Sequence, residues 1–434
     1  MLVLEGAVAV LRDEGTVDPG PVWLDGGRVV AGGSAAAETL DVSGCVVTPG
    51  LVNAHHHLLQ TGFRTLPGTR GVPMRDWLPR MAQAYASVGV TPATAGVTAR
   101  VGLAESLLCG VTTVADHHLT WPAGLPVAET VAIAQATADA ARDLGARLVF
   151  VRGSARDDPG WAAESADAVA EALVPGFGGV SDDGMLQVAV GPAGVHSDSP
   201  ETFARLGEVA GRRGLRRRTQ ANEQVDVEVA AERYGARPLA LLEDWGWLGP
   251  DVTLAHLCEV TDAEIERVAA TGTSATHAPG CDVPMGWGVA PVARLLEAGV
   301  RVGLGTSGGG SNDAGHLLAD ARLAMQVSGL VGPQLPALTV LGMATGGGAA
   351  GLGRNDLGHL REGARADLCV WDVSGVADAG VADPVAGLLW AGPGRRPRHV
   401  VVDGVVVVRD YALVKADERA LAGEMHTLLG RAAG

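Results

Sequence analysis

The middle of the chain alternates short apolar runs with longer alanine-rich stretches. Eight runs have the length and composition of buried strands: CVVTPGLVNA, GVTTVAD, ARLVFVRG, MLQVAVGP, LRRRTQAN, VTLAHL, TSATHAP and VRVGLGTS. Helical patterns separate most of them, for example over residues 126–144, 200–213 and 291–298. Eight strand–helix repeats are typical of an α/β fold, the (β/α)₈ TIM barrel, and we expect this barrel over residues 49–360. The alternative, a doubly wound sheet, is disfavoured because no GxGxxG follows the first strand.

The two ends of the chain have a different pattern. Residues 1–44 and 364–411 contain short apolar strands separated by Gly and Asp turns, such as LVLEGAVAV and RHVVVDGVVVVRDY. We expect both ends to form one small β-sandwich accessory domain, residues 1–48 plus 361–434. A terminal helix is predicted over residues 416–433.

Composition and charge narrow the choice of partner. The 434 residues include 33 Lys and Arg against 49 Asp and Glu, a formal net charge of −16, which argues against nucleic acid. No uncharged apolar run approaches the ~20 residues of a membrane span. Five cysteines without a CxxC pattern, and a first segment without a basic region or cleavage site, predict a reduced cytoplasmic protein. We therefore expect a small-molecule ligand.

Polar residues collect where the predicted strands end, which is where barrel enzymes carry their active sites. One such histidine is typically structural, but repetition at several strand ends favours a site. The candidates are His55, His56, His57, Asp116, His117, His118, Arg152, Gln220, Glu223, His256, His277 and Ser307. Because side chains alternate along a strand, His55 and His57 share a face and suit Zn or Fe, whereas His56 points away.

The segment PGLVNAHHHLLQTGFR, followed by RDWL, resembles the opening of the amidohydrolase superfamily. The likeness is to its triazine hydrolase, guanine deaminase and 8-oxoguanine deaminase branch. Matching segments continue along the chain: VTTVADHH, GPAGVHSDSPE, LAHL, THAP, GVAPVARLLEAGVRVGLGT, SND, ATGGGAAGLGR and LREGARADLCVWD. The resemblance implies a C–N hydrolase with bound Zn or Fe, and a homodimer.

The resemblance also assigns roles to residues. The superfamily binds metal through the HxH pair, a His in an HxxE motif after strand five, and an Asp after strand eight. His55 and His57 match the pair, Glu223 matches the proton-shuttling Glu, and His256 matches the histidine that orients water. We expect Glu223, His256 and His277 to be catalytic.

Two expected metal ligands are replaced, however. The HxxE histidine is Gln220, and the strand-eight aspartate is Ser307. Neither an amide nor a neutral hydroxyl replaces an imidazole or a carboxylate at zinc, which normally keeps three protein ligands. We expect no tightly bound metal; the alternative is a weaker metal that uses His256 as a third ligand.

Arg218 shares the inward face of its predicted strand with Gln220. Its guanidinium supplies the positive charge of a lost metal, binds a substrate carboxylate or carbonyl, or pairs with a barrel carboxylate such as Asp116 or Glu223. Arg217 would face the helices. The residues expected to bind substrate are Arg64, Trp77, His117, His118, Arg218, Gln220 and Ser307.

Three functions remain open on the sequence alone. The first is a deaminase-like hydrolase of a C–N bond in a small N-heterocycle. The second is a metal-independent hydrolase, cyclase or lyase acting on a related heterocycle. The third is a non-catalytic ligand-binding protein, against which Glu223, His256 and His277 argue.

Overall fold

The computed structural model describes residues 1–34, 37–392 and 394–430. Eight parallel strands pair in sequence order, and the eighth pairs with the first through Leu304 and Asn53, so the sheet closes into a barrel. The predicted TIM barrel is therefore confirmed. Strands one to eight are Leu51–His57, Val111–His118, Arg147–Ser154, Leu186–Pro192, Arg216–Ala221, Val252–His256, Ser274–His277 and Val302–Leu304.

Helices connect the strands, and their ends carry ordinary start and stop signals. The helix Pro200–Arg213 begins after Ser199, whose side chain accepts from the Thr202 amide, and ends at Gly214 in a left-handed conformation. The α-helices of the barrel region are Met74–Val88, Pro92–Leu108, Val127–Leu144, Pro159–Leu173, Pro200–Arg213, Gln224–Tyr234, Pro238–Asp244, Asp262–Thr271, Pro279–Asp282, Val292–Glu297, Leu317–Ser328, Ala337–Gly342 and Gly348–Gly351. A 3₁₀ helix, Leu58–Phe63, and a π-helical turn, Met343–Gly347, complete this set.

The two chain ends form two sheets with a shared apolar core, as predicted for the β-sandwich. A four-stranded sheet contains Leu2–Glu5, Val22–Asp25, Arg28–Val30 and Glu38–Asp41. A seven-stranded sheet contains Ala9–Asp13, Thr16–Asp18, Cys45–Pro49, Leu368–Asp372, His399–Val402, Val405–Arg409 and Ala412–Leu413. Strand Cys45–Pro49 pairs with Leu368–Asp372, which joins the amino-terminal strands to the carboxyl-terminal ones. The boundaries 1–48 plus 361–434 for this unit stay a proposal.

Two further helices follow the barrel. Pro384–Trp390 contacts the barrel helix Leu317–Ser328. The terminal helix is Glu418–Leu428, shorter than the predicted 416–433, of which residues 431–433 lie outside the described part. It packs against the barrel helix Pro92–Leu108, where Arg100 and Glu424 form an ion pair of 2.8 Å. The terminal helix therefore contacts the barrel, although the sequence grouped it with the sandwich.

Candidate active site

The carboxyl ends of the strands bring three of the predicted imidazoles together. The ring centres of His55 and His57 are 4.8 Å apart, and those of His55 and His256 are 5.1 Å apart. All three side chains are buried. His56 points the other way, as strand alternation predicts, and its Nδ1 lies 2.8 Å from the Thr306 hydroxyl.

The free nitrogens of the HxH pair face the interior. His57 donates its Nδ1–H to the His117 carbonyl oxygen at 2.7 Å, which leaves Nε2 as the lone-pair atom. Nε2 of His55 is buried and has no hydrogen-bond partner among the described residues. Burial lowers the pKa of His57 to about 4 and that of His55 well below its ordinary value, so both rings are neutral.

Both polar atoms of the Gln220 side chain lie within hydrogen-bond distance of other protein groups. Its amide donates to the Ala193 carbonyl oxygen at 3.2 Å, and its Oε1 lies 3.1 Å from Nε2 of His256. Ser307 has a left-handed backbone, with φ of 55°, and its segment pairs with His56. The two replaced metal-ligand positions therefore lie in the site, but one of them is already used by His256.

The sequence analysis missed Asp282, the strongest partner of His256. The Nδ1–H of His256 donates to Oδ1 of Asp282 at 2.6 Å, and Nδ1 of His277 lies 3.6 Å from Oδ2. Asp282 ends the short helix Pro279–Asp282 and is fully buried. An acidic residue five positions after the seventh strand was the available signal.

Both nitrogens of His256 face hydrogen-bond acceptors. Nδ1 faces the Asp282 carboxylate, and Nε2 faces the Gln220 oxygen, with Oε1 of Glu223 at 3.5 Å. Burial alone would lower the pKa of His256, but the carboxylates of Asp282 and Glu223 outweigh it and raise this pKa. Because a ring that donates from both nitrogens must carry both protons, this geometry fits an imidazolium.

Glu223 lies at the start of helix Gln224–Tyr234 and has no solvent exposure. Neither carboxylate oxygen has a hydrogen-bond partner among the described residues. Burial raises the pKa of Glu223, and the neighbouring His256 and His196 offset only part of this effect. A buried acid without partners, close to an imidazolium, is a candidate for proton transfer.

Arg218 does not pair with Asp116 or Glu223, so that interpretation of the sequence is wrong. One guanidinium nitrogen, Nη2, donates to the Ala54 carbonyl oxygen, and Nη1 is buried with no hydrogen-bond partner in the part of the chain that the structure describes. The strand direction explains this, because it aims the side chain across the barrel at the first strand. Arg217 faces outward, as expected, and pairs with Asp251 at 2.6 Å.

A cavity of about 900 Å³ opens onto this cluster. Its walls include four aromatic side chains, Trp77, Tyr85, Trp121 and Trp287. His57, Gln220, Cys281 and Ser307 also line it, whereas Glu223 and His256 do not. Nε2 of His256 lies 3.1 Å from Oε1 of Gln220 and 3.5 Å from Oε1 of Glu223. Flat aromatic walls above a few polar atoms suit a planar heterocyclic ligand.

Four residues predicted to bind substrate do not line this cavity: Arg64, His117, His118 and Arg218. Arg64 forms an ion pair with Glu105. Nε2 of His117 donates to the Gly191 carbonyl oxygen at 2.9 Å, and Nε2 of His118 donates to that of Thr120 at 3.2 Å. In each case the side chain already forms an ion pair or a hydrogen bond with a neighbouring group of the protein.

The donor set does not fit a tightly held zinc ion. Among the described residues, the group of three potential metal ligands close to one another is His256, Cys281 and Asp282, which excludes His55 and His57. Nδ1 of His256 is bonded to Asp282, and burial raises the pKa of the Cys281 thiol, which opposes the thiolate that zinc needs.

Comparisons with known proteins cover almost the whole chain. The model of the amidohydrolase family matches residues 46–407. The chain is 33% identical to an 8-oxoguanine deaminase of Pseudomonas aeruginosa, over 97% of this chain and 98% of that protein. It is 32% identical to a 5-methylthioadenosine/S-adenosylhomocysteine deaminase of Syntrophobacter fumaroxidans, over 95% of this chain and 94% of that protein.

Solved structures agree with these relatives. An atrazine chlorohydrolase from Arthrobacter aurescens, in complex with zinc, superposes with a TM-score of 0.91 at 34% identity, over 99% of this chain and 100% of that one. A zinc-bound adenosine deaminase from Xanthomonas campestris has the same fold, with a TM-score of 0.89 at 23% identity, over 98% and 97% of the two chains. None of the helices formed by the described residues is long and apolar enough to cross a membrane. The resemblance carried by the sequence motifs is confirmed, and the chain belongs to the amidohydrolase family.

Proposed function

We propose that this protein hydrolyses a C–N bond in a small, planar N-heterocycle without a tightly bound metal. The observation that carries the proposal is the buried pair of Glu223 and His256, with Asp282 behind the imidazole. Its relatives support the class of substrate, since they include deaminases of 8-oxoguanine and of 5-methylthioadenosine. The aromatic walls of the cavity suit such a ring.

Each group has a chemical task in this proposal. Glu223 takes a proton from the attacking water and returns it to a ring nitrogen or to the leaving group, since burial makes its carboxylate more basic than usual. The His256 imidazolium, held by Asp282, supplies the positive charge that stabilises the anion formed on addition. Gln220 and Ser307, which line the cavity, contact the heterocyclic ring of the substrate.

Catalysis without a tightly bound metal limits which substrates can react. Water that is not bound to a metal keeps a pKa of ~15.7, against ~7 on zinc. That difference corresponds to about 12 kcal/mol of deprotonation, whereas general acid–base catalysis typically provides ~10²–10⁴-fold. The proposal therefore requires an electron-poor ring or a good leaving group.

A substrate screen tests the activity. Purines, pyrimidines and triazines that carry amino, chloro or alkoxy groups are incubated with protein purified without added metal, and products are identified by mass spectrometry. Turnover that withstands a chelator is expected. Heterocycles that bind by calorimetry but are never converted would instead favour the ligand-binding protein.

Metal analysis tests the other half of the proposal. Less than one equivalent of Zn or Fe is expected in the purified protein, because Gln220 and Ser307 stand at two ligand positions. Stoichiometric metal bound by His55, His57 and His256, with activity lost on chelation and restored by zinc, would contradict it. The homodimer and the cytoplasmic location stay predictions, and light scattering on the purified protein tests the former.

A further inference from the structure

The mouth of the cavity carries positive charge, although the chain as a whole has a net charge of −16. Arg75, Arg156 and Arg233 all line it, whereas no Asp or Glu of the described residues does. None of the three arginines forms an ion pair with a described residue. In contrast, Arg205, an exposed arginine away from the cavity, pairs with Glu201 at 2.7 Å.

Arg156 is held in place by its backbone. It follows the third barrel strand and has a left-handed conformation, with φ of 67°, which a side chain other than glycine rarely adopts. Its backbone N–H donates to Oδ1 of Asp198 at 3.3 Å, and the Ser154 hydroxyl donates to the same oxygen at 2.7 Å. Strained residues that the surrounding structure holds in this way are concentrated at ligand sites.

Arg233 is linked to a second cavity-lining group, His196, which the sequence analysis did not single out. Nη1 of Arg233 donates to the His196 carbonyl oxygen at 3.3 Å. The buried His196 ring donates its Nδ1–H to Oδ1 of Asp226 at 3.1 Å, which fixes the ring orientation. Arg156 and His196 lie on the loops after the third and fourth strands, and Arg233 lies on the helix Gln224–Tyr234 that follows the fifth strand.

We propose that the heterocycle bound by this cavity carries an anionic substituent, a carboxylate or a phosphate, which Arg156 and Arg233 hold at the mouth. Guanidinium groups pair with both anions through two parallel hydrogen bonds. That the ligand is a heterocycle rests on the proposed function. That it carries an anionic substituent rests on the two arginines.

Matched probes test the proposal by binding alone. The first pair is 2-aminopyrimidine-5-carboxylate and its primary amide, and the second is cytidine 5′-monophosphate and cytidine. Dissociation constants are measured by calorimetry at low ionic strength. In at least one pair the anionic member should bind ~10-fold more tightly, as expected for charge-assisted hydrogen bonds. The pair that shows the preference identifies the anion.

Variants locate the effect. Arg156→Met and Arg233→Met should each reduce the preference for the anion to less than ~3-fold, while affinity for the neutral probe is unchanged. Arg419→Met, at an exposed position on the terminal helix, is the matched control and should retain the full preference. A preference that persists in both cavity variants would overturn the assignment to these arginines.

The result is independent of the proposed activity. Equal binding of charged and neutral probes, or no binding of either, contradicts the anion site. Turnover of neutral heterocycles without any charge preference removes this inference and leaves the hydrolase. A preference for the anionic probe, without turnover of any heterocycle in the screen, keeps the anion site and removes the proposed hydrolase activity.

Discussion

The two ends of the barrel treat buried charge in opposite ways. At the amino end of the third strand, the fully buried Arg147 donates to both oxygens of Asp367, at 3.0 and 2.8 Å, and to the Gly184 carbonyl oxygen at 2.6 Å. At the carboxyl ends, Glu223 is equally buried, yet neither of its oxygens has a partner among the described residues, and one nitrogen of Arg218 also lacks one. Since buried polar groups are normally satisfied, the carboxyl end keeps bonding capacity for something other than the fold.

Substitution of a buried charged residue at the amino end of the barrel should cause the larger loss in the free energy of unfolding. Arg147→Met leaves the Asp367 carboxylate buried without its partner, and breaking such a pair typically costs roughly 3–5 kcal/mol. Urea unfolding measures the change in the free energy of unfolding. Arg205→Met, which removes an exposed ion pair with Glu201, should cost less than ~1 kcal/mol. Equal losses in the two variants would remove the contrast.

The carboxyl end should be the more sensitive in activity. Glu223→Gln removes the proton-transfer group and should lower turnover by at least ~10²-fold, which corresponds to about 2.7 kcal/mol. Stability should be unchanged or higher, because the variant also removes a buried carboxylate that has no hydrogen-bond partner among the described residues. The control is Glu232→Gln, at an exposed position on the same helix, which should keep full activity. Full activity in Glu223→Gln would disprove its role.

A smaller effect should appear in the pH dependence of stability. Burial lowers the pKa of His118 to about 3, while the unfolded chain titrates near 6.5. Between these values the unfolded state binds the extra proton, so stability falls as the pH drops below 6.5. Between pH 6.5 and 5.0 this group contributes a loss of roughly 1.5 kcal/mol.

The variant His118→Gln isolates that contribution. Unfolding free energies of wild type and variant are compared at pH 6.5 and pH 5.0, so that other titrating groups cancel. The wild type should lose roughly 1.5 kcal/mol more than the variant. If wild type and variant lose the same unfolding free energy between pH 6.5 and pH 5.0, His118 titrates normally in the folded protein. Water would then reach the carboxyl end of the barrel more readily than the burial of His118 indicates.

The first predicted barrel strand, CVVTPGLVNA, was wrong in part, because it combines the sandwich strand Cys45–Pro49 with the start of the barrel strand Leu51–His57. For most other strands the sequence predicted well, because parallel barrel strands are buried on both faces and read as apolar runs. It overestimated the eighth strand, predicted over residues 300–307 and observed as Val302–Leu304. The ladder with the first strand breaks after Leu304 and resumes at Ser307–Gly308, where Ser307 has a left-handed backbone.

Side-chain partners were less predictable than strand ends. His256 could be placed from its strand, but Asp282 lies 26 residues later, on a short helix whose path depends on the folded loop. Arg218 was expected to bind a carboxylate, yet it reaches a backbone carbonyl across the barrel. Such pairings depend on three-dimensional distances that neither periodicity nor motif spacing contains.

The strand pairing between the two chain ends has a consequence for how the protein is made. The indole N–H of Trp371 donates to the hydroxyl of Thr48 at 2.9 Å, although the two residues are 323 positions apart. At ~5–20 residues per second, the ribosome needs about 15–60 s to deliver the later strand. During that time one edge of strand Cys45–Pro49 has no partner strand. Since an open strand edge can pair with other chains, the nascent chain avoids aggregation only if aggregation is slow or a chaperone covers this edge until the last quarter of the chain emerges.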